Sequence, residues 1–349
     1  MSKRQASALK LRRPDDWHLH LRDGEPMRAV LPFTTTRFAR AIVMPNLQPP
    51  VTTTELALAY RGRICSSLPG GSAFQPLMTL YLTDRTAPTE VDRARDSGRI
   101  FGLKLYPAGA TTHSESGVTD VRRIDPVLER MSEARMVLQV HGEVTEAATD
   151  IFDREARFID EVLAPLAHRH PRLRIVLEHI TTARAVDFVR AARPGIAATI
   201  TPQHLLLDRN ALFTGGIRPH HFCLPVLKTS ADRAALVAAA VSGDARFFLG
   251  TDSAPHARSA KESACGCAGI FSAHAAIELY AEVFETAGRL EALQGFASEF
   301  GADFYGLPRN TEEITLRREP WRVPETYPFG PEELVPLRAG ETVAWRMAA

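Results

Sequence analysis

Short apolar runs rich in β-branched residues recur along the chain, at Trp17–Leu21, Arg40–Met44, Leu77–Leu82, Ile100–Tyr106, Met136–Val140, Leu173–His179, Ile196–Thr201 and Arg246–Thr251. Each has the length of a buried strand. Helical periodicity fills the gaps. Thr53–Cys65 and Thr89–Ser97 are two such stretches. Asp120–Glu133 places Val121, Ile124, Leu128 and Met131 on one face, and Asp153–Arg169 does the same with Phe158, Val162, Leu163 and Leu166. Thr181–Ala192 opens on a threonine cap and carries Ala185, Phe188 and Val189, and Asp232–Val241 is rich in alanine. Strand and helix alternate through eight units, which predicts a parallel sheet with crossover helices. Eight units fit a closed (β/α)8 barrel of the TIM type better than an open sheet.

After residue 252 the pattern changes. Ala273–Thr286 and Leu290–Glu299 read as helices, and from Pro308 the chain is rich in Pro, Arg and Glu with scattered Trp321 and Trp345. The expectation is one domain over residues 1–349. Its barrel core covers about 14–300, and a helical and extended appendage covers about 301–349.

Composition narrows the class without choosing a function. The 349 residues are 45% hydrophobic and 24% charged, with a net charge of +1. No basic stripe or acidic tail points to nucleic acid or a membrane surface. No apolar run approaches the roughly 18 residues that span a bilayer. Met1 to Arg13 contains basic residues, but no apolar core of a secretory signal follows. Cys65, Cys223, Cys265 and Cys267 are too few for a disulfide framework. Reduced thiols and a cytoplasmic location are expected.

The chemistry lies at the carboxyl ends of the expected strands. His18 and His20 are two apart in the first strand, so both imidazoles aim at one spot, and Arg22, two residues further on, is expected on the same strand face. Asn46 follows the second strand, Lys104 is in the fourth, His141 ends the fifth, His179 the sixth and Asp252 the eighth. Singly, each has a plain reading as a buried histidine, a snorkelling lysine or a turn aspartate. Together they fall where a barrel converges on one mouth. A lysine among apolar strand residues is the most telling, because an unpaired buried ammonium is costly. Reaction of its amine with CO2 would give an anionic carbamate able to bridge two divalent cations. Histidine and carboxylate donors suit Zn2+. The constellation reads as a two-metal site with a bridging hydroxide, in which Asp252 is both ligand and proton shuttle.

Longer strings carry a resemblance. They are Asp16-Trp17-His18-Leu19-His20-Leu21-Arg22-Asp23-Gly24, Met44-Pro45-Asn46, Lys104-Leu105-Tyr106-Pro107-Ala108, Leu138-Gln139-Val140-His141-Gly142-Glu143, Leu177-Glu178-His179-Ile180-Thr181-Thr182, Gly250-Thr251-Asp252-Ser253-Ala254-Pro255-His256 and Lys261-Glu262-Ser263-Ala264-Cys265-Gly266-Cys267-Ala268-Gly269. The chain resembles the amidohydrolase superfamily and, within it, the dihydroorotase family of the shorter, bacterial and fungal class. The resemblance implies reversible cyclisation of N-carbamoyl-L-aspartate to L-dihydroorotate in pyrimidine biosynthesis, by a cytoplasmic homodimer. It implies two Zn2+ per subunit, one held by His18, His20 and Asp252 and the other by His141 and His179, bridged by N6-carboxylated Lys104. It assigns the substrate carboxylate to Arg22, Asn46 and His256, and the ring to backbone groups at Leu224 and Ala268. His20 and His141 would also face the substrate, and Thr111 and Thr112 would sit on a loop that closes over it. Rival readings are a hydantoinase or allantoinase, a non-catalytic scaffold that would lack ligands, and a metal store.

Overall fold

In the computed structural model, residues 7–348 are described. Among them, eight parallel strands follow one another around a single sheet. They are β2 (Asp15–Leu19), β3 (Arg40–Val43), β4 (Gln75–Leu82), β5 (Ile100–Leu105), β6 (Val137–Val140), β7 (Arg174–Leu177), β8 (Ile196–Ile200) and β9 (Phe247–Leu249), preceded by β1 (Ala8–Arg12). The ring closes where β9 runs into β2: Asp252 N donates to His18 O at 2.9 Å, and His20 N donates to Ser253 O at 3.1 Å. The expected (β/α)8 barrel is the observed fold.

Alternation along the strands separates two cores. Ile42, Leu77, Val137, Val176, Ala197 and Phe248 form an inner apolar cluster with Trp17 and Tyr305. Their sequence neighbours Ala41, Leu138, Ile175, Ala198 and Phe247 belong to the larger core beneath the helices. On the inward parity, polar residues succeed the apolar ones: Gln139, Glu178 and Thr199, then His141, Thr201 and Asp252, all buried. The barrel is therefore sealed by hydrocarbon at its amino end and becomes polar toward its carboxyl end.

The seal comes partly from the helix Phe300–Tyr305. Tyr305 stacks on Trp17 with ring centroids 4.7 Å apart and planes within 6°. Gly301 permits this approach, because a Cβ there would lie 2.0 Å from Trp17 Nε1. Gly301→Ala should destabilise the fold by about 1–3 kcal/mol through overpacking. An unchanged melting temperature would show that this floor can yield.

Four features differ from the sequence expectation. The first strand stops at Leu19, so His20 lies just beyond it. Arg22 turns away at φ +64° instead of continuing the same strand face. A helix covers Gly24–Arg37, where none is expected. Pro26, Pro32 and the threonine run disguise it, but its buried residues Met27, Val30, Leu31 and Thr34 recur at helical spacing. Tertiary burial outweighs weak propensity here. Finally, Asp120–Ile124 forms turns, and the helix begins at Asp125.

The C-terminal region returns to the start of the chain. β10 (Glu313–Arg317) pairs antiparallel with β1, Ala8 opposite Arg317, and with Arg346–Met347 on its other side. Trp345 is fully buried against the barrel core. All four cysteines are free thiols. Among the described residues no helix is long and apolar enough to cross a membrane.

Candidate active site

Lys104 lies within β5, His18 within β2, and His20, His141, His179 and Asp252 on the turns that leave their strands. These turns bring His18 Nε2, His20 Nε2 and Asp252 Oδ1 into a triangle with sides of 3.2, 3.3 and 3.2 Å. A tetrahedral ion with ligands at ~2.0–2.1 Å has donor–donor edges of ~3.3–3.4 Å. The three atoms are thus spaced as a shared cation would space them. His179 stands beside them, its ring centroid 5.0 Å from that of His18 and 4.9 Å from that of His141. Its buried Nδ1 has no hydrogen-bond partner.

Neighbouring groups choose which nitrogens point inward. His141 Nε2 lies 2.7 Å from Glu143 Oε2, which leaves Nδ1 as its other donor atom. His20 Nδ1 lies 2.8 Å from Asn46 Oδ1, which leaves Nε2 for the triangle. Carboxylate or amide oxygens behind imidazoles orient metal-binding histidines in this way.

Burial and neighbouring charges set the protonation states of the cluster. Burial pulls His20 down to about 4, and it holds His179 well below the ordinary imidazole value. Burial would raise Asp252, but His18 and His20 outweigh it and hold the carboxyl well below its usual range. Burial also opposes charge on His18. There, the carboxylates of Glu178 and Asp252 override it and push the imidazole up to about 9. His20, His179 and Asp252 are thus buried, deprotonated donors, and a divalent cation in the triangle would replace the proton that the carboxylates hold on His18.

Lys104 is fully buried. Its ammonium is paired with Glu178 and lies 4.9 Å from the centre of the Tyr106 ring. Burial lowers its pKa in spite of Glu178. Glu178 also places Oε1 3.2 Å from His18 Nδ1. Sequence reasoning gave Glu178 and Glu143 no role, although inward parity with Val176 and the i+2 spacing from His141 are the signals that mark them.

Three non-glycine residues here have left-handed backbones: Arg22 (φ 64°), His179 (φ 43°) and Asp252 (φ 45°). Each such residue costs of order 1–3 kcal/mol and persists only where its surroundings dictate it. Thr199 Oγ1 accepts from His179 N at 2.8 Å, and His18 O accepts from Asp252 N at 2.9 Å. Gly250 makes room for the cluster, since a Cβ there would lie 2.7 Å from Thr199 Cβ and 3.2 Å from His18 Cβ.

Above the cluster is a narrow cleft. Its walls include His20, Arg22, Asn46, His141, Leu224 and Ala268, with Thr111 and Thr112 over the top. His18 and Lys104 do not line the cleft and lie beneath it. His256 supports Arg22 from behind: Arg22 Nη2 is 2.9 Å from His256 Nε2, and Arg22 Nε donates to Pro255 O at 2.9 Å. Burial and the adjacent guanidinium drive His256 down to about 2, so it is neutral. The loop carrying the threonines is held down by Asn46 Nδ2 donating to Thr112 O at 3.3 Å and Tyr81 OH donating to His113 O at 3.3 Å.

Residues 16–323 match the amidohydrolase family. The dihydroorotase of Nitrosomonas europaea is 64% identical over 345 residues, covering 98% of this chain and 99% of that one. The crystal structure of dihydroorotase from Campylobacter jejuni superposes with a TM-score of 0.90 at 37% identity, over 99% of this chain and 98% of that one. The dihydroorotase of Saccharomyces cerevisiae in complex with 5-fluoroorotic acid gives a TM-score of 0.90 at 33% identity, over 98% and 99% of the two chains. The chain therefore belongs to the amidohydrolase family and, within it, to the dihydroorotases, which are metal-dependent cyclic amidohydrolases.

Proposed function

We propose that this enzyme interconverts N-carbamoyl-L-aspartate and L-dihydroorotate for pyrimidine synthesis, using a binuclear zinc centre. The observation that carries the reading is the His18, His20 and Asp252 triangle at the floor of a cleft that also holds the Arg22 guanidinium. One ion would be held by His18, His20 and Asp252 and the other by His141 and His179, with Lys104 between them as a carbamate. Carbamylation removes the costly state of a fully buried ammonium. When bound, divalent cations would activate a water and polarise the substrate carbonyl.

The remaining work falls to side chains. Asp252 Oδ accepts the proton of the attacking water and delivers it to the leaving ring nitrogen. Microscopic reversibility gives it the same position in cyclisation. Arg22, backed by neutral His256, offers guanidinium donors to the ring carboxylate, with Asn46 alongside. Leu224 and Ala268 meet the ring through their backbones, and Thr111 and Thr112 exclude bulk water once the loop is closed.

The test is ring opening by purified, zinc-replete protein. Dihydroorotate should be preferred over hydantoin by at least about 100-fold, since hydantoin lacks the carboxylate. Chelation should abolish turnover and added Zn2+ should restore it, with elemental analysis returning two zinc per chain. Faster turnover of hydantoin, or full activity in metal-free protein, would overturn the reading.

A further inference from the structure

Lys261 is an ammonium at 3% exposure, at the end of the short helix Arg258–Lys261. No carboxylate partners it among the described residues. The charged or titratable groups it faces are Cys223, Cys267, Arg22 and His256. Burial pulls its pKa down to about 8. An ammonium in such a place is expensive unless its protons are used. Here they are spent on two main-chain oxygens: Nζ donates to Phe222 O at 2.7 Å and to Gly269 O at 2.7 Å.

These two carbonyls belong to different segments, and both segments reach the cleft. Phe222 is two residues from Leu224, and Gly269 follows Ala268. Gly269 N also donates to Phe222 O at 3.1 Å, so the two edges are tied directly as well as through the lysine. The Leu224 edge is braced on its far side, where His204 Nε2 lies 3.0 Å from Pro225 O. The backbone at Gly269 has no slack, because a Cβ there would come within 2.6 Å of Ala254 O. Charge-assisted bonds to carbonyls are short and strong, and two of them on one ammonium fix a distance between strands of chain that no ladder joins.

We propose that Lys261 is a positioning residue for substrate. Its ammonium sets the separation of the Leu224 and Ala268 backbone edges so that both meet the substrate ring together. The proposal rests on the reading that these edges contact the ring of dihydroorotate.

The test is steady-state ring opening with zinc-loaded enzyme, together with binding of 5-fluoroorotate, a ligand that has no chemistry to undergo here. Lys261→Met should raise KM for dihydroorotate about tenfold while kcat stays within about threefold. Affinity for 5-fluoroorotate should fall in parallel, and Lys261→Arg, which keeps a cation and its donors, should recover most of the loss. A lysine that merely supports folding would lower the active fraction, and so kcat, without moving KM or ligand affinity; that result would overturn the proposal. If the Met variant does not fold, Lys261→Gln is read the same way. A wild-type enzyme inert toward dihydroorotate would overturn the underlying reading and the positioning role with it. An active wild type beside an unchanged KM in the variants would overturn the positioning role alone.

Discussion

Asp252→Asn is expected to lower kcat by at least about 1,000-fold in both ring opening and cyclisation, with the fold unchanged, because general acid–base groups alone contribute about 10²–10⁴. The asparagine is nearly isosteric, and the backbone bond from residue 252 to His18 O does not depend on the side chain. Two properties are lost. The amide is not an anion, so the triangle with His18 and His20 loses its only negative corner. It also has no oxygen that can hold a proton at neutral pH. Zinc analysis on the same sample separates the two losses: full metal with no turnover isolates the proton transfer. Substantial cyclisation by a metal-replete variant would remove Asp252 from that role.

Arg22→Met should cost about 100- to 1,000-fold in kcat/KM for dihydroorotate, since truncating one member of a buried, hydrogen-bonded charge pair typically costs about 2–5 kcal/mol. Dihydrouracil, the same ring without its carboxylate, should lose far less. The comparison matters because Arg22 also bonds Pro255 O and His256, so its removal loosens the wall for any ligand. A guanidinium that recognises the carboxylate shifts the ratio of the two substrates. One that only braces the loop lowers both equally, and equal losses would refute the recognition role.

The candidate metal cluster was legible because His141, His179 and Asp252 close apolar runs and the His18 and His20 pair lies two apart in the first. The strand-ending histidines and Asp252 need only the barrel topology to bring them together, and Lys104 stands out by its polarity alone. What was not legible depends on direction or distance in space. Leu21-Arg22 contains no glycine or proline to announce the turn at φ +64°, so Arg22 read as strand. Glu178 touches Lys104 and His18, which come from two other strands, and no local spacing encodes that. The helix at Gly24–Arg37 was hidden by prolines that a first turn and a well-buried face can tolerate. The pairing of β1 with β10 joins segments near opposite ends of the chain. The hydrogen bonds of Lys261 end on carbonyls, which every residue possesses and no sequence pattern marks.

The closure of β9 onto β2 bears on how the enzyme is made. His18 and His20 emerge early in synthesis, whereas Asp252 arrives only after seven further strands have been laid down. The triangle therefore spans the last joint of the ring to form. A nascent chain holds two imidazoles without their carboxylate and cannot retain an ion at this position with native strength. An ion held there as proposed would act as a rivet across the joint, because binding confined to the closed form stabilises that form by mass action. With the proposed metal centre, metal supply would bear on how much enzyme matures, separately from how fast each mature copy turns over.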